Sequence, residues 1–174
     1  MDFNALTVDL VMQRTGMRRS SFYHYFPSLE DVALVFLERL ERTLREAVEP
    51  WLRGDHDDDP SGATLEILTS MFEIMNADHV AAVAVGEAAG GSPRIYEEWR
   101  TRVLEYFSGS TAQFIRRQLM RGNSSVENPD RVAEALVLMN LAVFNANIHR
   151  ETPDDPTEVA RLAAGIWNAS IFGA

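Results

Sequence analysis

The chain has 174 residues, 46% of them apolar, which is enough for one substantial core or for a small head on a larger body. It holds no cysteine, so disulfide frameworks, thiolate nucleophiles and Cys-based zinc or iron–sulfur sites are excluded. The formal net charge of −10 argues against a broad nucleic-acid footprint, and every one of the 16 basic residues is arginine.

The charge is unevenly distributed. Residues 1–28 hold Arg14, Arg18 and Arg19 against Asp2 and Asp9, and are the one stretch that is not acidic. An acidic body repels DNA everywhere except at such an end. Thr7 to Phe26 reads as a helix-turn-helix. Thr7 caps the first helix, Val8, Val11 and Met12 share a face, Gly16 supplies the turn, and a second short helix starts near Arg18. Phe22 and Phe26, four apart, face the core. Thr7, Arg18, Arg19, Ser20, Ser21, Tyr23, His24 and Tyr25 are left toward solvent as candidate DNA contacts, because arginine forks suit guanine edges and hydroxyls suit phosphates.

The run GMRRSSFYHYFPSLED resembles the signature of the TetR family of transcriptional regulators. Farther on, Leu138-Met139-Asn140 and the ending IWNASIFG are similar to the mycobacterial ethionamide-resistance repressor subgroup of that family. The resemblance implies an all-α homodimer that binds a pseudo-palindromic operator, acts as a repressor and is released by a small apolar effector. It also implies departures. Leu29 stands where relatives carry a lysine that reaches the DNA backbone, and Arg18 where a serine caps the recognition helix. Relatives place a whole amphipathic helix ahead of the helix-turn-helix, whereas only Met1 to Leu6 precede Thr7. Phe3, Leu6, Val11 and Phe22 are therefore expected to be partly exposed and the head loosely held. Either the true start codon lies upstream or the head is crippled, and the upstream start is the expectation.

Ser28-Leu29-Glu30-Asp31 has the form of a capping box, opening a long helix in which Val32, Phe36, Leu40, Leu44 and Val48 repeat every four residues. Glu38/Arg42 and Glu41/Arg45 form outer pairs, and the helix ends between Pro50 and Gly54. Asp55 to Pro60 lacks the spacing of a calcium loop and reads as solvated. Ser92-Pro93, Asn128-Pro129 and Asp155-Pro156 each place a capping side chain before a proline. Helices are expected at about 61–77, 79–89, 93–121, 129–149 and 156–172, with no strand. The division is a DNA-binding domain over 1–45 and a helical ligand-binding and dimerisation domain over 46–174.

No enzyme is expected. His24, His56, His79 and His149 are scattered, and adjacent Glu97 and Glu98 diverge on a helix, so no catalytic site, metal or cofactor is called. The middle helices are rich in aromatic and methionine side chains, which fill a bundle unevenly and leave room for an apolar guest. Met71, Met75, Trp99, Val103, Tyr106, Asn140, Phe144 and Trp167 are the candidate ligand-binding residues. Asn140, a lone amide in an apolar run, is either a helix-to-helix bond or a ligand anchor; the resemblance favours the anchor, with Asn145 and Asn147 outside that role. Leu136, Leu138, Met139, Val143, Ala160, Ala163, Ala164, Gly165, Ile166 and Ile171 on the last two helices are either core of a single protomer or, as the resemblance implies, a homodimer face. No targeting or membrane-spanning segment is read, so the expected location is cytoplasmic, with operator DNA and an apolar effector as partners. The alternative is a helical small-molecule-binding protein without competent DNA binding.

Overall fold

The computed structural model describes residues 3–54 and 58–173, and among these every regular element is helical. The Asp55 to Pro60 loop lies in part outside the described residues.

After a 3-10 turn at Phe3–Ala5 come two short helices, α1 (Val8–Thr15) and α2 (Arg19–Tyr25). Thr7 caps α1 by accepting the Leu10 N–H, and Gly16 ends it with φ +69°, a left-handed conformation that a side chain would strain. Phe22 is buried rather than partly exposed, since it packs edge-on to Tyr23 and against Phe26. Phe3, Leu6 and Val11 are half-buried. Phe3 sits against Ala33, Ala88 and Ile95, a small cluster apart from the main core.

Helix α3 (Leu29–Arg53) starts at Ser28, whose hydroxyl accepts the Asp31 N–H. Its buried stripe is Ala33, Leu37, Leu40, Leu44, Val48 and Trp51, so the four-residue repeat holds only in the middle. At 3.6 residues per turn a strict repeat of four drifts around the axis, which leaves Val32 and Phe36 half-buried. Glu41 is also buried, held by Arg45 at 2.6 Å and by Arg102 at 3.3 Å, instead of lying on an outer face.

The remaining helices are α4 (Pro60–Ala77), α5 (His79–Gly91), α6 (Pro93–Trp99), α7 (Tyr106–Met120), α8 (Pro129–Ile148) and α9 (Pro156–Phe172). Their caps form as the sequence reads. Ser92 accepts the Ile95 N–H, Asn128 that of Arg131, and Asp155 that of Thr157. One expected helix is not uniform, because α6 passes into α7 through a π-helical segment, Arg100–Glu105. Helix α4 packs along α9, α7 along α8, and α3 against α4 and α5, with the core running from Leu37 to Ile171.

The expected homodimer face divides. Leu136, Ala160, Ala163, Ala164 and Ile171 are core of a single protomer, Met139 and Val143 are half-buried, and only Leu138, Gly165 and Ile166 are exposed. Helix α8 is 20 residues long with a mean hydropathy of 1.2, long and apolar enough by composition to cross a membrane, although it packs on α7 and α9.

Candidate functional site

A cavity of about 550 Å³ lies between the body helices, and its wall is almost wholly apolar. Helix α3 contributes Leu37, Leu40, Leu44, Val48 and Trp51 along one side. Met71 and Met75 come from α4, Phe144 from α8 and Trp167 from α9, with Phe72 and Phe144 rings 6.4 Å apart behind them. The π segment shapes another side. Its i→i+5 bonding widens the turn, so Trp99, Val103 and Phe107, spaced by four, share the inward face.

Seven of the eight candidate ligand-binding residues thus meet in one place: Met71, Met75, Trp99, Val103, Asn140, Phe144 and Trp167. Tyr106 does not. The widened turn carries it out to a shallow charged groove, where its ring lies 3.5 Å below the Arg45 guanidinium. Asn145 lines the cavity, contrary to expectation, while Asn147 ties the chain after α8 by exchanging hydrogen bonds with the Asp154 main chain.

Asn140 does make a helix-to-helix bond. Its Oδ1 accepts the Trp167 Nε1–H at 3.1 Å, which fixes the amide and leaves its NH2 and one oxygen lone pair to offer a guest. Residues missed from sequence include Trp51, Glu87, Ser110 and Thr111. The α3 stripe was visible as apolar, but nothing local distinguishes a packed core position from a cavity wall.

The cavity wall is tied to the 3-10 turn at Phe3–Ala5 through α5. Glu87 lines it, and the same carboxylate accepts the Phe3 N–H at 2.6 Å, while the Glu87 carbonyl accepts from the Asn4 amide at 2.9 Å. Asn4 can lie there because residue 91 is glycine: a Cβ on Gly91 would come within 2.0 Å of Asn4 Oδ1. A second tie joins the start of α3 to α6. Ser92 donates to Glu30 at 2.5 Å, and Arg94 donates to Asp31 at 2.8 Å. The Ser28 hydroxyl and then Arg94 hold the Asp31 carboxyl below its ordinary value, and Asp31 in turn raises Arg94.

At the other end, Thr7, Arg18, Arg19, Ser20, Tyr23, His24 and Tyr25 are exposed and Ser21 is half-buried. Arg19 is engaged. Its Nη1 meets both Asp9 oxygens at 3.0 Å and its Nη2 donates to the Tyr23 hydroxyl at 3.2 Å, contacts that raise its pKa, Tyr23 foremost. Arg18 stands at the N-cap of α2 with no capping hydrogen bond from its side chain. Among the described residues no group of three or more His, Asp or Glu side chains is placed to hold a metal.

The family model described as "Transcriptional regulator EthR, C-terminal domain" matches residues 64–173. The HTH-type transcriptional regulator EthR of Mycobacterium tuberculosis is 30% identical over 171 residues, covering 97% of this chain and 78% of that protein, and the protein of the same name in Mycobacterium bovis matches equally. The EthR of Mycolicibacterium smegmatis is 29% identical over 181 residues, covering 98% of this chain and 79% of its own. The chain belongs to the TetR family of transcriptional regulators, in the group of EthR.

Proposed function

We propose that the chain is a repressor that binds operator DNA as a homodimer, through a helix-turn-helix formed by α1 and α2, and that an apolar molecule entering the cavity releases it. The observation that carries this reading is the position of α3. Its apolar face walls the cavity, while its first residue follows directly on the α2–Ser28 connection. A helix of 25 residues is about 37 Å long, so a small tilt at the cavity becomes a larger displacement at the head. An effector shifts DNA affinity only in so far as it binds one tilt better than the other.

In this reading residues 1–45 act as the DNA-binding unit and 46–174 as the ligand-binding and dimerisation unit. Residues 45 and 46 both lie within α3, which makes that helix the coupling element. DNA contacts fall to Thr7, Arg18, Arg19, Ser20, Ser21, Tyr23, His24 and Tyr25. The homodimer forms through the exposed stripes Ala135, Leu138 and Ala142 on α8 and Leu162, Gly165, Ile166 and Ala169 on α9. Both follow helical spacing and mix large with small residues, which suits close approach across a two-fold axis. They also account for an α8 more apolar than its burial in one protomer requires.

The second reading, a ligand-binding protein without competent DNA binding, is favoured by the uncapped α2 and by the hold of Asp9 on Arg19. Fragment pull-down from genomic DNA followed by footprinting separates the two. The repressor reading expects a protected palindrome, binding that weakens steeply with salt, and release by an apolar ligand. Absence of any salt-dependent DNA binding selects the second reading.

A further inference from the structure

The cavity leaves one buried charge unexplained. Glu41, at the midpoint of α3, is only 8% exposed, yet it takes no part in the cavity wall and lies instead at the shallow charged groove. Arg45, on the same helix, brings its Nε to 2.6 Å from Glu41, but that N–H makes no hydrogen bond, so the contact is ionic alone. The directional bond comes from outside α3: Arg102 Nη1 donates to Glu41 Oε2 at 3.3 Å. Among the described residues it is the one side-chain hydrogen bond between α3 and the π segment. Arg100 is held by Glu97 and Glu105, and Arg102 Nε donates to Glu98 at 2.7 Å.

Residues 102 and 103 are neighbours, as are 106 and 107, so this stretch has a guest side and a charged side. Val103 and Phe107 wall the cavity, whereas Arg102 bonds to Glu41 and Tyr106 lies under the Arg45 guanidinium. A π turn is rare, is wider than the α-helix around it and frequently marks a functional site. When a guest presses on Val103 and Phe107, Arg102 moves with them and Glu41 must follow: left behind, the carboxylate would be buried without a hydrogen bond. An apolar contact would slide instead. The far end of α3 is held, because Trp51 stacks on Phe114 at 4.2 Å and its carbonyl accepts from Arg117 at 2.9 Å. A displacement at the midpoint is therefore about doubled at Leu29.

We infer that the Arg102–Glu41 bond is a regulatory link, carrying the effector's pressure on the π segment to the polar side of α3. Glu41 and Arg102 are positioning residues, and neither touches the guest. This rests on the cavity being the effector site, and it makes effector binding separable from the response of the head.

The test uses the full chain with valerophenone, an uncharged apolar ketone, as the probe. Tryptophan fluorescence reports occupancy, since Trp51, Trp99 and Trp167 all line the cavity, and hydrogen exchange at residues 28–34 reports the start of α3. The bound probe is expected to change exchange there by about fivefold in the parent. Arg102→Gln and Glu41→Gln are expected to bind the probe within about twofold of the parent and to lose that response, with the double variant behaving as either single one. Glu98→Gln removes the same charge from the other partner of Arg102 and is expected to keep the response. The Arg102 side chain is 41% exposed, so its variant carries the test should Glu41→Gln lose helical content. A parent that ignores the probe, or binds it with exchange at residues 28–34 unchanged, overturns the effector reading and this inference together. An Arg102→Gln variant that binds the probe and responds as the parent does, or an equal loss of response in Glu98→Gln, overturns the inference alone.

Discussion

Arg19 shows how much a single side chain's surroundings matter. On sequence it is an arginine on the exposed side of a recognition helix; in the structure its guanidinium is shared between Asp9 on α1 and Tyr23 one turn along α2. Both Arg19 and Asp9 are largely exposed, so the pair contributes little to stability, and a phosphate or a guanine edge competes well for the same donors. Asp9 thus orients Arg19 and, on the proposed reading, competes with DNA for its donors. Arg19→Ala is expected to lower operator affinity on the order of tenfold, while Asp9→Asn raises affinity for random-sequence duplex. Anisotropy titrations at two salt concentrations check both. Arg19→Ala with unchanged affinity removes α2 from the interface, and an Asp9→Asn variant that binds more weakly makes Asp9 a support rather than a competitor.

At the level of the helix, the junction between α2 and α3 depends on Ser28. Its hydroxyl accepts the Asp31 N–H and donates to the Asp31 carboxylate at 2.6 Å. Ser28→Ala is expected to cost about 1 kcal/mol through the lost cap. The pH dependence has a defined sign. Because Asp31 is depressed in the folded chain, its contribution is present above the unfolded carboxylate value and is lost as pH falls through the folded one. Removing Ser28 weakens that contribution, so the stability gap between parent and variant should narrow in acid, as urea unfolding at pH about 7 and about 3 can measure. A gap that widens contradicts the assignment. Elements of this kind are legible in sequence because they are local. Thr7, Ser28, Ser92, Asn128 and Asp155 each announce a helix start, and the prolines at 93, 129 and 156 confirm the last three. The π segment was not legible, since i→i+5 bonding leaves no mark on composition, and Tyr106 was misplaced in consequence. The cavity was half legible. Aromatic and methionine residues signalled an uneven interior, but the part played by α3 follows from which helices fail to meet, and no window of sequence encodes that.

On the proposed reading, the whole molecule would place two heads about one DNA turn apart, roughly 34 Å, which makes the pairing of protomers as important as the head itself. Substituting Ile166→Arg together with Leu138→Glu on the exposed stripes is expected to yield folded monomers by sedimentation, with helical content preserved and operator binding weakened. A dimer that survives the double substitution moves the interface elsewhere. The π segment bears on the whole body in another way. Loss of one codon between Arg100 and Glu105 would let the helix close with ordinary bonding, and each local measure of helix quality would improve. Yet every residue of α7 would turn by about 100° relative to α6, withdrawing Phe107 and Thr111 from the cavity and Phe114 from Trp51. Descendants of such a deletion would need to rewrite both faces of α7 at once, so the less regular helix is the one that lineages can keep.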